Sequence, residues 1–117
     1  MNRDEYMTAL KENNGVLLFK FTAPWCGPCK RIAPFVAERV DAIRETYKNF
    51  SYVEIDVDDS FDVYAYLRSK KMVTAIPTML AYVTGNHTIF PDEGHIGSDE
   101  QGTIDFFRRV TEMLSKI

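Results

Sequence analysis

Cysteine is scarce in this chain: 117 residues contain two, and both fall within APWCGPCKR at 23 to 31. Two thiols cannot make the disulfide framework of a small secreted domain. Spaced this tightly, they also close too small a loop to restrict the unfolded chain much, so a staple would stabilise the fold only modestly. Long apolar runs are missing as well. No stretch approaches the ~20 residues of a membrane span, and the polar start MNRDEYMTALKENNG does not read as a signal peptide. No membrane role is expected, and the chain is expected to stay in the cytoplasm. A block of positive charge is equally absent. The formal net charge is −3, and the strongest basic run, RSKK at 68 to 71, reads as a solvated helix end, so nucleic acid is not an expected partner. Repeats, linkers and low-complexity segments do not occur. With 45% hydrophobic and 26% charged residues, the composition is that of one ordinary globular domain spanning 1–117.

What is present alternates between helical and extended patterns. Asn2, with Glu5 three residues on, predicts a capped first helix with Met7 and Leu10 on its apolar side. VLLFKF (16 to 21) reads as a buried strand, apolar except for Lys20. A long helix is expected from about Pro28 to Tyr47, because Ile32, Phe35, Val36, Val40, Ile43 and Tyr47 share one face. Pro34 inside it removes the hydrogen bond to the Lys30 carbonyl. FSYVEIDVD (50 to 58) alternates as a second core strand, and Asp59 or Ser60 would cap a third helix through FDVYAYLRSKK. PTMLAYV (77 to 83) is a third strand; TGN then turns the chain, and HTIF (87 to 90) is expected to pair back until Pro91 stops it. Ile104, Phe107, Val110 and Leu114 mark a final helix from about Gln101 to Ile117. This order predicts an α/β fold: a mixed sheet with helices on both faces.

The cysteines flank the start of the second helix. A thiolate there meets free N–H groups and the positive end of the helix dipole, which favours the charged form. Cys26, just outside the helix, is expected to be the exposed, more acidic thiol, and Cys29, one turn in, the covered one. Pro28 pre-sets φ for the first turn, and Gly27 keeps the approach to Cys26 open. The asymmetry suits a nucleophile and a resolving thiol. Cys26 would attack a substrate disulfide, and Cys29 would then attack Cys26 to release reduced product. Metal binding fits poorly, since one Cys-x-x-Cys supplies two of the four ligands of tetrahedral zinc and His87 and His95 lie far along the chain. Trp25, directly before Cys26, reads either as packing or as a flat surface for a docking peptide.

WCGPCK (25 to 30), IAPF (32 to 35) and AIPT (75 to 78), in this order, resemble the thioredoxin family; VEIDVDD (53 to 59) and Gly97 in HIGS also stand where that family would have them. The resemblance implies a thioredoxin fold with four helices around a mixed four-stranded sheet, the usual N-terminal strand being missing or very short. It implies a protein-disulfide reductase, active as a monomer, with Cys26 and Cys29 catalytic and forming a redox-active disulfide, and with no bound cofactor. Its partners would be disulfide-containing client proteins and a separate NADPH-dependent thioredoxin reductase. The resemblance further implies a cis bond between Ile76 and Pro77 facing the dithiol, and a client surface of Trp25, Ile76, Pro77 and Gly97.

Lys20 departs from the family, which generally has a buried aspartate there, with a lysine partner whose position falls near Tyr52. Lys20 reads either as a strand-end lysine snorkelling to water or as a cation behind Cys29 that lowers the thiol pKa values, pairing with Glu54 or Asp56. The third-helix region and the 85 to 97 hairpin are a few residues longer than usual. They leave room for two other functions: a binding or adaptor module with an incidental dithiol, or a redox partner specialised for one client.

Overall fold

The computed structural model describes all residues 1–117. Eight elements follow in the expected order: α1 (Arg3–Glu12), β1 (Val16–Thr22), α2 (Gly27–Thr46), β2 (Phe50–Asp56), α3 (Phe61–Ser69), β3 (Thr78–Val83), β4 (Glu93–Ile96) and α4 (Glu100–Ser115). The four strands form one sheet in the order β2-β1-β3-β4, with β1 and β2 parallel and the other pairs antiparallel. Because side chains alternate along a strand, β1 feeds two cores. Leu17, Phe19 and Phe21 meet Tyr6 and Leu10 of α1 and Val63 and Leu67 of α3. Val16 and Leu18 meet Ile32, Val36 and Val40 of α2 and Phe106, Phe107 and Val110 of α4. β1 is thus buried along its length, which is why it carries almost no polar residue.

The helix starts follow local chemistry. Asn2 and Glu5 form the reciprocal capping box, with Glu5 N donating to Asn2 Oδ1 at 2.9 Å and Asn2 N to Glu5 Oε1 at 3.0 Å. In α1 the deeply buried residue beside Leu10 is Tyr6, with Met7 only half-buried. Ser60 stands at the start of α3, but its side chain makes no capping bond. The last helix begins one residue earlier than expected, where Asp99 Oδ2 accepts from Gly102 N at 2.8 Å. It turns Thr103 and Phe106 inward and leaves Ile104 half-buried.

The expected strand HTIF is corrected: residues 87 to 90 form a loop, and the strand is Glu93–Ile96. Asn86 explains the shift. Its Oδ1 accepts from Thr88 N at 3.0 Å, and its Nδ2 donates to Phe90 O at 2.8 Å, so the segment satisfies its polar groups within itself. Pro91 has no N–H to offer a ladder. Pairing resumes only at Asp92, whose N donates to Ala81 O at 2.9 Å and whose carboxylate accepts from Val83 N at 2.8 Å.

Candidate active site

Cys26 is the N-cap of α2, with extended backbone, and its sulfur accepts from Cys29 N at 3.2 Å. Gly27 and Pro28 are the first two helical residues; both are exposed. The helix start therefore holds both sulfurs in one turn, with Cα atoms 5.2 Å apart, and they form a disulfide. In this oxidised state Cys26 is not exposed as the sequence suggested. It is 5% accessible against 1% for Cys29, with the Ile76 carbonyl oxygen beside its sulfur.

Three segments distant in sequence converge on this disulfide. The Ile76–Pro77 bond is cis, and the Ile76 carbonyl oxygen lies 4.0 Å from Cys26 Sγ. Gly97, with φ at +110°, donates its N–H to the Pro77 carbonyl at 2.8 Å, a backbone conformation glycine adopts without strain. Trp25 is 66% exposed, its indole N–H donating to Asp58 Oδ2 at 2.8 Å. The ring is thus held open to solvent by a polar tether and is not core packing. All four expected surface residues, Trp25, Ile76, Pro77 and Gly97, flank the sulfurs or each other. Sequence reasoning missed Asp58, whose signal lay in the acidic run after the second strand, and exposed Ile96, next to Gly97 on the edge strand.

On the inner side, Lys20 is 2% exposed, which corrects the snorkelling alternative. The parallel register places Glu54 and not Tyr52 opposite Lys20. Lys20 Nζ is 3.7 Å from Glu54 Oε2, and the same oxygen accepts from Tyr52 OH at 2.7 Å. Burial lowers the Lys20 pKa, and Glu54 offsets this in part. Burial likewise raises that of the Tyr52 hydroxyl, with the bond to Glu54 adding to the effect. Lys20, Glu54 and Asp56 line a solvent-open cleft of about 350 Å³ together with Cys29, Lys30 and Ala33. His87 and His95 do not join the cysteines, and no cluster of three or more His, Cys, Asp or Glu side chains could hold a metal ion.

A sequence model of the thioredoxin family matches residues 1–105. Among characterised proteins, thioredoxin-2 of Pyricularia oryzae is 40% identical over 84 residues, 72% of this chain but only 44% of that one. Thioredoxin-2 of Saccharomyces cerevisiae is 35% identical over 81 residues, 69% of this chain and 70% of that one. The solved structure of Plasmodium falciparum thioredoxin is 26% identical, with a TM-score of 0.67, and the match covers 92% of this chain and 93% of that one. The match thus runs through all four strands and both sides of the disulfide, and the chain belongs to the thioredoxin family.

Proposed function

We propose that this chain is a protein-disulfide reductase working through Cys26 and Cys29. The carrying observation is the disulfide closed across the start of α2, where free N–H groups stabilise a thiolate. In the reduced protein, the Cys26 thiolate attacks a client disulfide. A Cys26–client bond forms, and the other client sulfur leaves as a thiolate and takes a proton from water. Cys29, one helical turn away, then attacks Cys26 Sγ. The intramolecular disulfide forms, and the second client sulfur departs reduced. Two electrons pass from this protein to the client.

Supporting the client-docking role are the exposed Trp25 ring, the Ile76 carbonyl beside Cys26 and the exposed Ile96. An extended client segment pairing with the Ile76 backbone would lie across these groups. Regeneration requires two electrons from a separate NADPH-dependent thioredoxin reductase. A dithiol that must be kept reduced suits the cytoplasm. The chain is proposed to act as a monomer. Specialisation for one client is favoured by the loop after β3, which leaves Phe90 60% exposed near the edge strand. The test is insulin reduction with dithiothreitol as electron source. The wild type is expected to accelerate turbidity and Cys26→Ser to abolish the acceleration. A wild type that does nothing would leave an adaptor with an incidental dithiol.

A further inference from the structure

Six large apolar side chains of the molecule are exposed, and two of them, Phe90 and Ile96, line one solvent-open pocket of about 550 Å³. That volume lies within the ~300–1,000 Å³ of ordinary ligand sites. Leu80 and Met72 line it too. Gly94 stands opposite Leu80 in the β3–β4 ladder, and a Cβ there would sit 3.4 Å from Leu80 Cδ2, so the missing side chain is what keeps the space above Leu80 open. Exposed apolar side chains gathered around a concavity mark an interaction site, unlike ones scattered singly. The pocket also adjoins the dithiol. Ile96 precedes Gly97, whose N–H is bonded to the Pro77 carbonyl, and the Ile76 carbonyl lies beside Cys26 Sγ. From Ile76 to Leu80 the chain runs four residues, roughly 13 Å at strand spacing. The cation here is Lys71. Of the basic run at 68 to 71, Arg68 donates to Tyr64 OH and Lys70 lies over the Tyr66 ring, whereas exposed Lys71 enters none of the chain's ion pairs. His95, which also lines the pocket, is already paired with Asp99 at 3.0 Å. Lys71 has φ at +62°, with its N–H donating to Arg68 O at 3.0 Å. Glycine would take that conformation without strain, so the turn itself has no need of a lysine.

We propose that this pocket is a client subsite, taking a bulky apolar side chain about four residues from the client cysteine while Lys71 pairs with a carboxylate next to it. This rests on the dithiol exchange proposed above and names its substrate class: extended disulfide-bearing segments that carry an apolar residue beside an acidic one. A segment pairing with the Ile76 backbone continues past Ile96 and sets its apolar side chain between Phe90 and Leu80. Apolar surface on both partners then leaves water, which is the source of the affinity. The carboxylate contributes selectivity and a faster encounter more than binding strength, because an exposed ion pair is worth little. Phe90, Ile96 and Lys71 touch no reacting sulfur and determine specificity only.

The probes are single-cysteine peptides joined to glutathione by a disulfide. Each carries a Phe-Asp, Phe-Lys or Ala-Ser pair about four residues before or after its cysteine. Reduced protein is mixed with each peptide, and release of the reduced peptide is followed by chromatography. In at least one placement, Phe-Asp should react about tenfold faster than Ala-Ser, as expected for covering part of a phenylalanine side chain. It should also react about two- to threefold faster than Phe-Lys, a margin that salt removes. Lys71→Glu should reverse the order of Phe-Asp and Phe-Lys, and Phe90→Ala should shrink the ratio of Phe-Asp to Ala-Ser. Equal rates for all peptides, or a ratio unmoved by its variant, would overturn the subsite. So would a concentration-dependent dimer, seen by sedimentation, that Phe90→Ala dissociates, since a second copy of the chain would then fill the pocket. A protein that reduces insulin and every peptide alike refutes the subsite alone; one that reduces neither refutes the exchange and the subsite with it.

Discussion

Two buried tyrosines carry a directional hydrogen-bond chain whose energetics can be worked from the structure. Tyr82 OH donates to the Ile89 carbonyl at 2.7 Å, and Tyr6 OH lies 2.8 Å from Tyr82 OH. A hydroxyl has one proton, so with Tyr82 committed to Ile89 the proton between the rings belongs to Tyr6. The two Tyr→Phe changes are therefore unequal. Tyr6→Phe removes a donor but leaves Tyr82 still donating, at a cost of about 1 kcal/mol. Tyr82→Phe strands the Tyr6 O–H and the Ile89 carbonyl, both buried, at about 1–3 kcal/mol each, so about 3 kcal/mol together is expected. Ring packing survives both changes, including the Tyr6–Phe19 stack at 4.2 Å. The double variant leaves only the Ile89 carbonyl unpaired and should cost about 2 kcal/mol, less than the sum of the singles. With an m-value of about 1.5 kcal/mol/M in urea, the midpoint would fall by ~0.7 M for Tyr6→Phe and ~2 M for Tyr82→Phe. Urea unfolding of the oxidised protein followed by circular dichroism measures all three. Equal costs for the two singles, or a strictly additive double, would refute the assigned proton direction.

Mild alkylation of the reduced protein should label Cys26 before Cys29, since Cys26 is the N-cap and Cys29 lies one turn inside; mass spectrometry showing Cys29 modified first would reverse their roles. A Cβ on Gly15 would collide with the Asn49 carbonyl at the point where Val16 N bonds it, so Gly15→Ala should lose about 3 kcal/mol or fail to accumulate as folded protein; an unchanged urea midpoint would contradict this. Stability should also fall in alkali. Burial raises the pKa of Tyr6 and Tyr82, so the folded state keeps protons that the unfolded chain gives up near pH ~10. Stability is therefore full below pH ~10 and is lost above it by up to ~1.4 kcal/mol per pH unit for each tyrosine. Lys20, lowered by burial, works the other way, its penalty easing as pH rises towards ~10.5. Urea midpoints at about pH 9 and about pH 11 should show the tyrosine loss prevailing; equal midpoints would contradict it.

Local signals in the sequence were sufficient wherever a short segment decides its own conformation. The Asn2–Glu5 capping box, the start of α2 at the cysteines and the apolar β1 are all matters of a few neighbouring residues, and each was legible. The exception on that scale was HTIF. Its alternation suited a strand, but Asn86 satisfied the backbone of that segment first, and a side chain competing for backbone bonds leaves little trace in hydrophobic periodicity.

The sequence by itself determined the order of elements, the dithiol and its helix, and the identity of most of the surface around it. Tertiary structure alone decided which groups meet there. Glu54 faces Lys20 because a parallel register aligns β1 with β2, and a shift of two residues would have brought Tyr52 or Asp56 there instead. Asp58 reaches Trp25 across 33 positions, and Gly97 reaches Pro77 across 20, through bonds that exist only once the sheet has closed. Lys20 shows the difference most sharply. Its residue type permits either a solvated or a buried ammonium, and the choice was made by the packing of α2 over the sheet, which leaves Lys20 2% exposed and puts Cys29 in the same cleft.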